Sequence, residues 1–92
     1  MIQSFACKYT QALFEGGNPL RFRAFKKVAI RKLTQLDAAQ TIDFLRSPPG
    51  NRLEILKGDR QGQYSIRIND QFRVCFEWTE HGPANVAIVD YH

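Results

Sequence analysis

Cysteine and histidine are scarce in this 92-residue chain, with two of each. Cys7 and Cys75 form no CxxC pair, and His81 and His92 stand apart from both thiols. This excludes the closely spaced ligand sets that hold zinc, and no metal or other cofactor is expected. One disulfide is the most that two cysteines allow; two thiols in a reducing cytosol are the favoured reading, which implies a cytoplasmic protein. No apolar run approaches the ~20 residues of a membrane span, so no membrane partner is expected. The opening Met1-Ile2-Gln3-Ser4-Phe5 carries no basic region followed by an apolar stretch, so no secretory signal is visible. Repeats, linkers and low-complexity tracts are lacking as well.

What the chain does have is apolar content and unevenly placed charge. It is 43% hydrophobic and 12% aromatic, with seven Phe, enough for a core and against disorder. One domain spanning residues 1–92 is the default at this length. Residues 1–46 hold eight Lys/Arg against three Asp/Glu, whereas residues 47–92 hold five against six. The net charge of +4 therefore sits in the first half, and nucleic acid heads the list of acidic partners.

Local patterns suggest an order of elements. Residues 2–5 suit a short edge strand, and residues 9–15 a helix stopped by Gly16-Gly17. Asn18-Pro19 opens a longer helix, where Phe22, Phe25, Ala29, Leu33 and Leu36 share one face. Arg23, Lys26, Lys27 and Arg31 form a second stripe. Asp37 with Gln40 resembles a capping box opening a short helix through Leu45. Ser47-Pro48-Pro49-Gly50 then stops helix formation. From there the period is two. Residues 52–56 suit a strand, residues 58–62 a loop, and residues 86–89 the last strand. Between them Tyr64, Ile66 and Ile68 alternate with polar residues, as do Phe72, Val74, Phe76 and Trp78. Tyr64 and Trp78 thus fall on the apolar side and read as core.

The hairpin register follows from that alternation. A two-residue turn would set Ile66 beside Arg73 and mix apolar with charged residues on one face. A three-residue loop, Asn69-Asp70-Gln71, instead pairs Phe72 with Ile68 and Val74 with Ile66, and brings Arg67 opposite Arg73 on the other face. Like charges side by side are mildly unfavourable, and a sheet accepts them readily where that face meets an anion. The expected fold class is α+β: N-terminal helices packed on one face of a small, mostly antiparallel sheet, with arginines on the other.

The stretch "LKGDRQGQYSIRINDQFRVCFEW" and the closing "VDYH" resemble HigB-type toxins of bacterial type II toxin–antitoxin systems, in the RelE/ParE superfamily. The likeness begins at "MIQSF" and runs along almost the whole chain. It implies a RelE-like microbial RNase toxin fold and cleavage of mRNA in the decoding site of a translating ribosome. It also implies a cognate HigA-like antitoxin with a helix-turn-helix domain, which holds the toxin inactive and reaches operator DNA.

RNA cleavage without a metal uses the substrate's 2′-OH to attack the adjacent phosphate while the 5′-oxygen leaves. It needs a base, cations for the extra phosphate charge, and an acid. The resemblance places Asp90, Tyr91 and His92 in the active site. His92 has a side chain that titrates near neutrality, Tyr91 can donate a hydrogen bond or act as a base, and Asp90 can orient a neighbour. A frayed, solvated tail is the plain alternative. Arg73 is expected to support the phosphate, since its planar fork fits phosphate oxygens; otherwise it is a surface strand arginine. Lys57 either reaches the scissile phosphate or is a solvated turn lysine. Glu54 departs from the family, where some members carry His at the matching place; it is a carboxylate base or an exposed strand residue, and slower cleavage is one consequence. Arg60, Arg67, Arg23, Lys26, Lys27 and Arg31 are candidates for gripping rRNA phosphates, or a solvated face in the case of the helix stripe. His81 has no role. Two rivals stay open: a ParE-type gyrase poison without catalytic residues, and a non-catalytic antitoxin-binding or co-repressor module.

Overall fold

Period-two patterning in the second half of the chain does produce a sheet. The computed structural model describes residues 1–90, with β1 (Glu54–Ile55), β2 (Gln63–Arg67), β3 (Phe72–Thr79) and β4 (Gly82–Asp90) paired antiparallel in that order. The helices α1 (Lys8–Phe14) and α2 (Lys26–Ala38) pack on one face. Leu13, Ala29, Leu33 and Leu36 from the helices meet Ile66, Val74, Phe76, Val86 and Ile88 from the strands in one buried core. Tyr64 and Trp78 are partly buried against it, as their place in the alternation required.

The β2–β3 register is the one the alternation demanded. Ile66 pairs with Val74 and Arg67 with Arg73, and Ile68 N–H donates to the Phe72 carbonyl at 3.0 Å. The three-residue loop is shaped by its own first residue: Asn69 Oδ1 accepts from Gln71 N–H at 2.9 Å and Phe72 N–H at 2.8 Å. This is the local side-chain capping that favours Asn in turns. On β4 a bulge at Asn85, with φ 52°, resets the alternation, so Pro83 and Val86 are both buried. The outer edge of β4 is covered. Residues 3–6 pair with it in parallel through a bridge between Phe5 and Val86, and Ile88 N–H donates to Thr10 Oγ1 at 3.0 Å.

Three expectations are corrected. The long helix after Pro19 is two pieces, a 3₁₀ turn over Leu20–Phe25 and then α2. Phe25 leaves helical dihedrals (φ −127°, ψ 26°), which lets its ring pack 5.9 Å from Phe22 and 4.5 Å from Phe72. Asp37 opens no helix: it lies within α2 and accepts from the Ile2 N–H at 2.8 Å, while Asp43–Arg46 is only a 3₁₀ turn. The strand expected over residues 52–56 shrinks to β1, because Arg52 sits in the left-handed region (φ 45°, ψ 56°) and turns the chain.

A buried polar knot fixes that turn. Asn51 is fully buried; its amide donates to Gln35 Oε1 and the Leu45 carbonyl, each at 3.1 Å, and to the Ser47 carbonyl at 3.3 Å. Its Oδ1 accepts from Lys32 Nζ, a buried lysine of α2. Burial pushes the Lys32 pKa down, and the charges of Arg31 and Arg67 add to it. Asn51→Ala removes both the loop's anchor and the ammonium's partner. It is expected to lower the unfolding free energy by about 3 kcal/mol in denaturant titration; a loss under about 1 kcal/mol contradicts this role.

Candidate active site

Arg73 organises the sheet face opposite the helices. Period-two geometry puts Ser65, Arg67, Arg73, Cys75, Ala87 and Val89 on that side, with Glu54 joining from β1 through its pairing with Ser65. The arginine is not splayed on a surface: its side chain is only 9% exposed. Nε–H donates to Ser65 Oγ at 2.7 Å, and Nη2 donates to the Arg52 carbonyl at 2.5 Å and the Ser65 carbonyl at 3.4 Å. Glu54 Oε1 lies 3.7 Å from Nη1, on a side chain 50% exposed. A cation is thus fixed at the floor of the face, with an accessible carboxylate beside it. A charged, planar fork in a fixed place can hold phosphate oxygens, and a carboxylate within reach can take a proton.

The remaining candidates take various places. Arg67 lies across from Arg73 and pairs with Asp70 at the loop. Arg60 follows Gly58 in a 3₁₀ turn and donates to Gln63 Oε1 at 3.3 Å. Lys57 is exposed just before that turn. Asp90 pairs with Phe72 at the end of β4, so by alternation it sits on the helix side of the sheet; its carboxylate accepts from Gln71 Nε2 at 3.0 Å. Tyr91 and His92 lie outside the described residues. On the helical side, Arg23, Lys27 and Arg31 are exposed and Lys26 is half-buried, apart from the Arg73 face. Among the described residues no group of His, Cys, Asp and Glu is placed to hold a metal ion, and no helix is long and apolar enough to cross a membrane.

Sequence reasoning missed three contributors. Ser65 shares the phase of Arg67 and stands two places from it, a signal that was available. Cys75 was also in phase: it is buried at 1% exposure and pairs with Ser65 and Ala87. Burial pushes its thiol up, against the pull of Arg60 and Arg73, and Glu54 adds to the rise. The Arg52 carbonyl had no signal, since nothing in the local sequence marks a non-glycine residue for positive φ.

Comparison with known proteins places this arrangement. A chain of the YoeB–YefM complex from Staphylococcus aureus superposes with a TM-score of 0.62 over 100% of this chain and 98% of that one. At 18% identity the likeness is one of fold, two helices on a four-stranded antiparallel sheet. The sequence narrows the class. The family model for the RelE-like toxin of type II toxin–antitoxin system HigB matches residues 3–92. Toxin HigB-1 of Vibrio cholerae serotype O1 is 38% identical over 94 residues, spanning 100% of this chain and 98% of that protein. An uncharacterized protein of Haemophilus influenzae is 41% identical over 66 residues, 72% of this chain and 64% of its own length. The chain belongs to the HigB-like toxin family of type II toxin–antitoxin systems.

The two thiols are expected to differ sharply in reactivity. Burial raises the Cys7 thiol pKa, but hydrogen bonds from the Thr10 backbone and side chain, the Tyr9 backbone and the Arg21 charge outweigh it, so the net shift is down. Cys7 is also half-buried rather than buried. Iodoacetamide at neutral pH, followed by peptide mass mapping, is expected to modify Cys7 at least about tenfold faster than Cys75. Equal rates would mean that Cys75 is not buried as described.

Proposed function

We propose that this toxin is a ribosome-dependent mRNA endoribonuclease that acts without a metal. The observation that carries the reading is the Arg73 guanidinium, anchored beside buried Ser65 and Cys75 and flanked by half-exposed Glu54. In this reading a translating ribosome presents mRNA in its small-subunit decoding site. The 2′-OH loses its proton to a base, its oxygen attacks the neighbouring phosphorus, and the 5′-oxygen leaves with a proton from an acid. Arg73 meets the charge that builds on the phosphate oxygens. Glu54, Tyr91 and His92 are the groups proposed to move the two protons, with Asp90 orienting a neighbour and Lys57 adding positive charge at the loop. Arg60 and Arg67 extend the positive field on the same side. Arg23, Lys26, Lys27 and Arg31 grip rRNA phosphates and set orientation without reading sequence.

The partner that restrains such a toxin is a cognate antitoxin, proposed here as HigA-like with a helix-turn-helix domain through which the pair reaches operator DNA. A chain of this fold occurs in the YoeB–YefM complex, which supports a protein partner for this one. The proposed setting for all of this is the cytoplasm, where ribosomes are.

Adding the purified protein to a translation extract and mapping mRNA 5′-ends tests the reading, with gyrase supercoiling assayed in parallel. New 5′-ends within the translated message are expected, with unchanged supercoiling. Arg73→Ala is expected to slow cleavage on the order of 10²–10³-fold, the scale for losing a donor to a developing oxyanion, and deletion of His92 to abolish it, with the fold preserved in both. Supercoiling inhibited without any new 5′-ends would replace the nuclease with a gyrase poison. Full cleavage by both variants would move the site elsewhere.

A further inference from the structure

We propose that Arg52 is a phosphate-binding residue of this toxin, whose guanidinium grips the message at a phosphate next to the one that is cut. The proposal rests on reading the Arg73 face as the cleavage site. Arg73 itself is committed to the protein: it donates to Ser65 and to the Arg52 carbonyl, and it is paired with Glu54. Arg67 is paired with Asp70, and Arg60 donates to Gln63. Arg52 differs from all three. It is exposed, and among the described residues its side chain enters no hydrogen bond, ion pair or ring contact.

The backbone at this position argues that the arginine is kept for its side chain. Arg52 ends the 3₁₀ turn over Pro49–Asn51 with φ 45° and ψ 56°. Its N–H donates to the Pro49 carbonyl at 3.1 Å, and its carbonyl accepts from Arg73 Nη2 at 2.5 Å. Both bonds use backbone atoms, so any residue that reaches left-handed dihedrals can make them. Glycine reaches them without strain, and asparagine more readily than arginine. The turn is already held by buried Asn51, whose amide is tied to Gln35 and to the Leu45 and Ser47 carbonyls. Arginine therefore brings a strain that the fold does not require, as happens where a position serves a ligand.

Placement decides which phosphate it meets. Because the Arg52 carbonyl touches the Arg73 guanidinium, the head of the Arg52 side chain lies within about its own length of Arg73. Successive phosphates of an RNA strand follow at short, regular steps, so the two arginines serve neighbouring phosphates. The acids near this face are Glu54 and Asp70, and each is set against another arginine. A long, unpaired cation beside a fixed one adds binding and orientation without reading sequence.

The test measures binding to purified ribosomes carrying a message with 2′-deoxy nucleotides in the decoding-site codon, which is bound and not cut, and to the same ribosomes without message. Arg52→Gly removes the side chain and suits the backbone, and Arg52→Asn is a second variant of that kind. For both, affinity for programmed ribosomes is expected to fall on the order of tenfold, the scale for one hydrogen bond to a charged group. The slope of log affinity against log salt is expected to shrink by about 0.7, the value for one phosphate of a single strand. Arg52→Lys is expected to restore the slope. Arg46→Gln, which removes a charge from an exposed residue paired with Asp43, is expected to change neither. In the translation extract, Arg52→Gly is expected to raise the half-saturating ribosome concentration and keep the cleavage rate at saturation. A turn that had merely let go of Arg73 would lower that rate instead. Wild-type affinity and slope in both variants overturn the proposal. So does an equal loss on empty ribosomes, which would give the contact to rRNA, or a lower rate at saturation with affinity intact. If the wild-type protein binds programmed ribosomes through Arg52 yet cuts no mRNA, the contact stands and the nuclease reading falls. A wild-type protein that does not bind them overturns both.

Discussion

Everything at the Arg73 face depends on a three-residue connection between two strands. With Asn69, Asp70 and Gln71 in the loop, Val74 meets Ile66 in the core and Arg73 meets Arg67 on the far side. One residue fewer would turn every side chain of one strand over. The loop length is enforced locally by Asn69, whose side chain takes the place of a strand partner for two successive N–H groups. It is enforced globally by Ile66, Val74 and Phe76, which are fully buried under the helices. Burying apolar area on one face thereby dictates where a guanidinium goes on the other.

A cation in that place works against stability. Taking a charge out of water costs several kcal/mol in practice, and it persists where rigid acceptors surround it. Arg73 has such acceptors in Ser65 and the Arg52 carbonyl. Lys32 shows the same design one layer away, where a buried ammonium is held by an amide rather than an acid. The two are linked: Lys32 fixes Asn51, Asn51 fixes its loop, and that loop delivers the Arg52 carbonyl to Arg73. Helix α2 thus reaches through the loop to the opposite face of the sheet. The positive charge this accumulates suits the polyanionic substrate of the proposed function.

The sheet was legible because period two is unambiguous when apolar residues alternate cleanly, as from Tyr64 to Trp78. The helical half was read less well. Phe22 to Leu36 has the spacing of one helix, yet Phe25 breaks it to stack near Phe72, a tertiary preference that spacing does not encode. Asp37 and Gln40 have capping-box chemistry, but Asp37 is used by the Ile2 N–H from the other end of the chain. At the site, Arg73 and Glu54 were identified and do come together. The burial of Arg73 was not foreseen: an arginine alternating with apolar residues reads as solvent-facing, whereas here it is 7% exposed and donates to the carbonyl of the Arg52 turn. Asp90 pairs with Phe72 at the end of β4, and its carboxylate accepts from Gln71 Nε2.

The most direct measurement is the unfolding free energy of Arg73→Met, taken beside its mRNA cleavage. If the buried guanidinium is kept for phosphate chemistry, an apolar side chain of similar length should cost no more than about 1–3 kcal/mol of stability, from the Ser65 and Arg52 acceptors it leaves unpaired, while cleavage slows on the order of 10²–10³-fold. A variant that loses several kcal/mol of stability yet still cuts mRNA would show that Arg73 holds the sheet together and that the chemistry lies elsewhere.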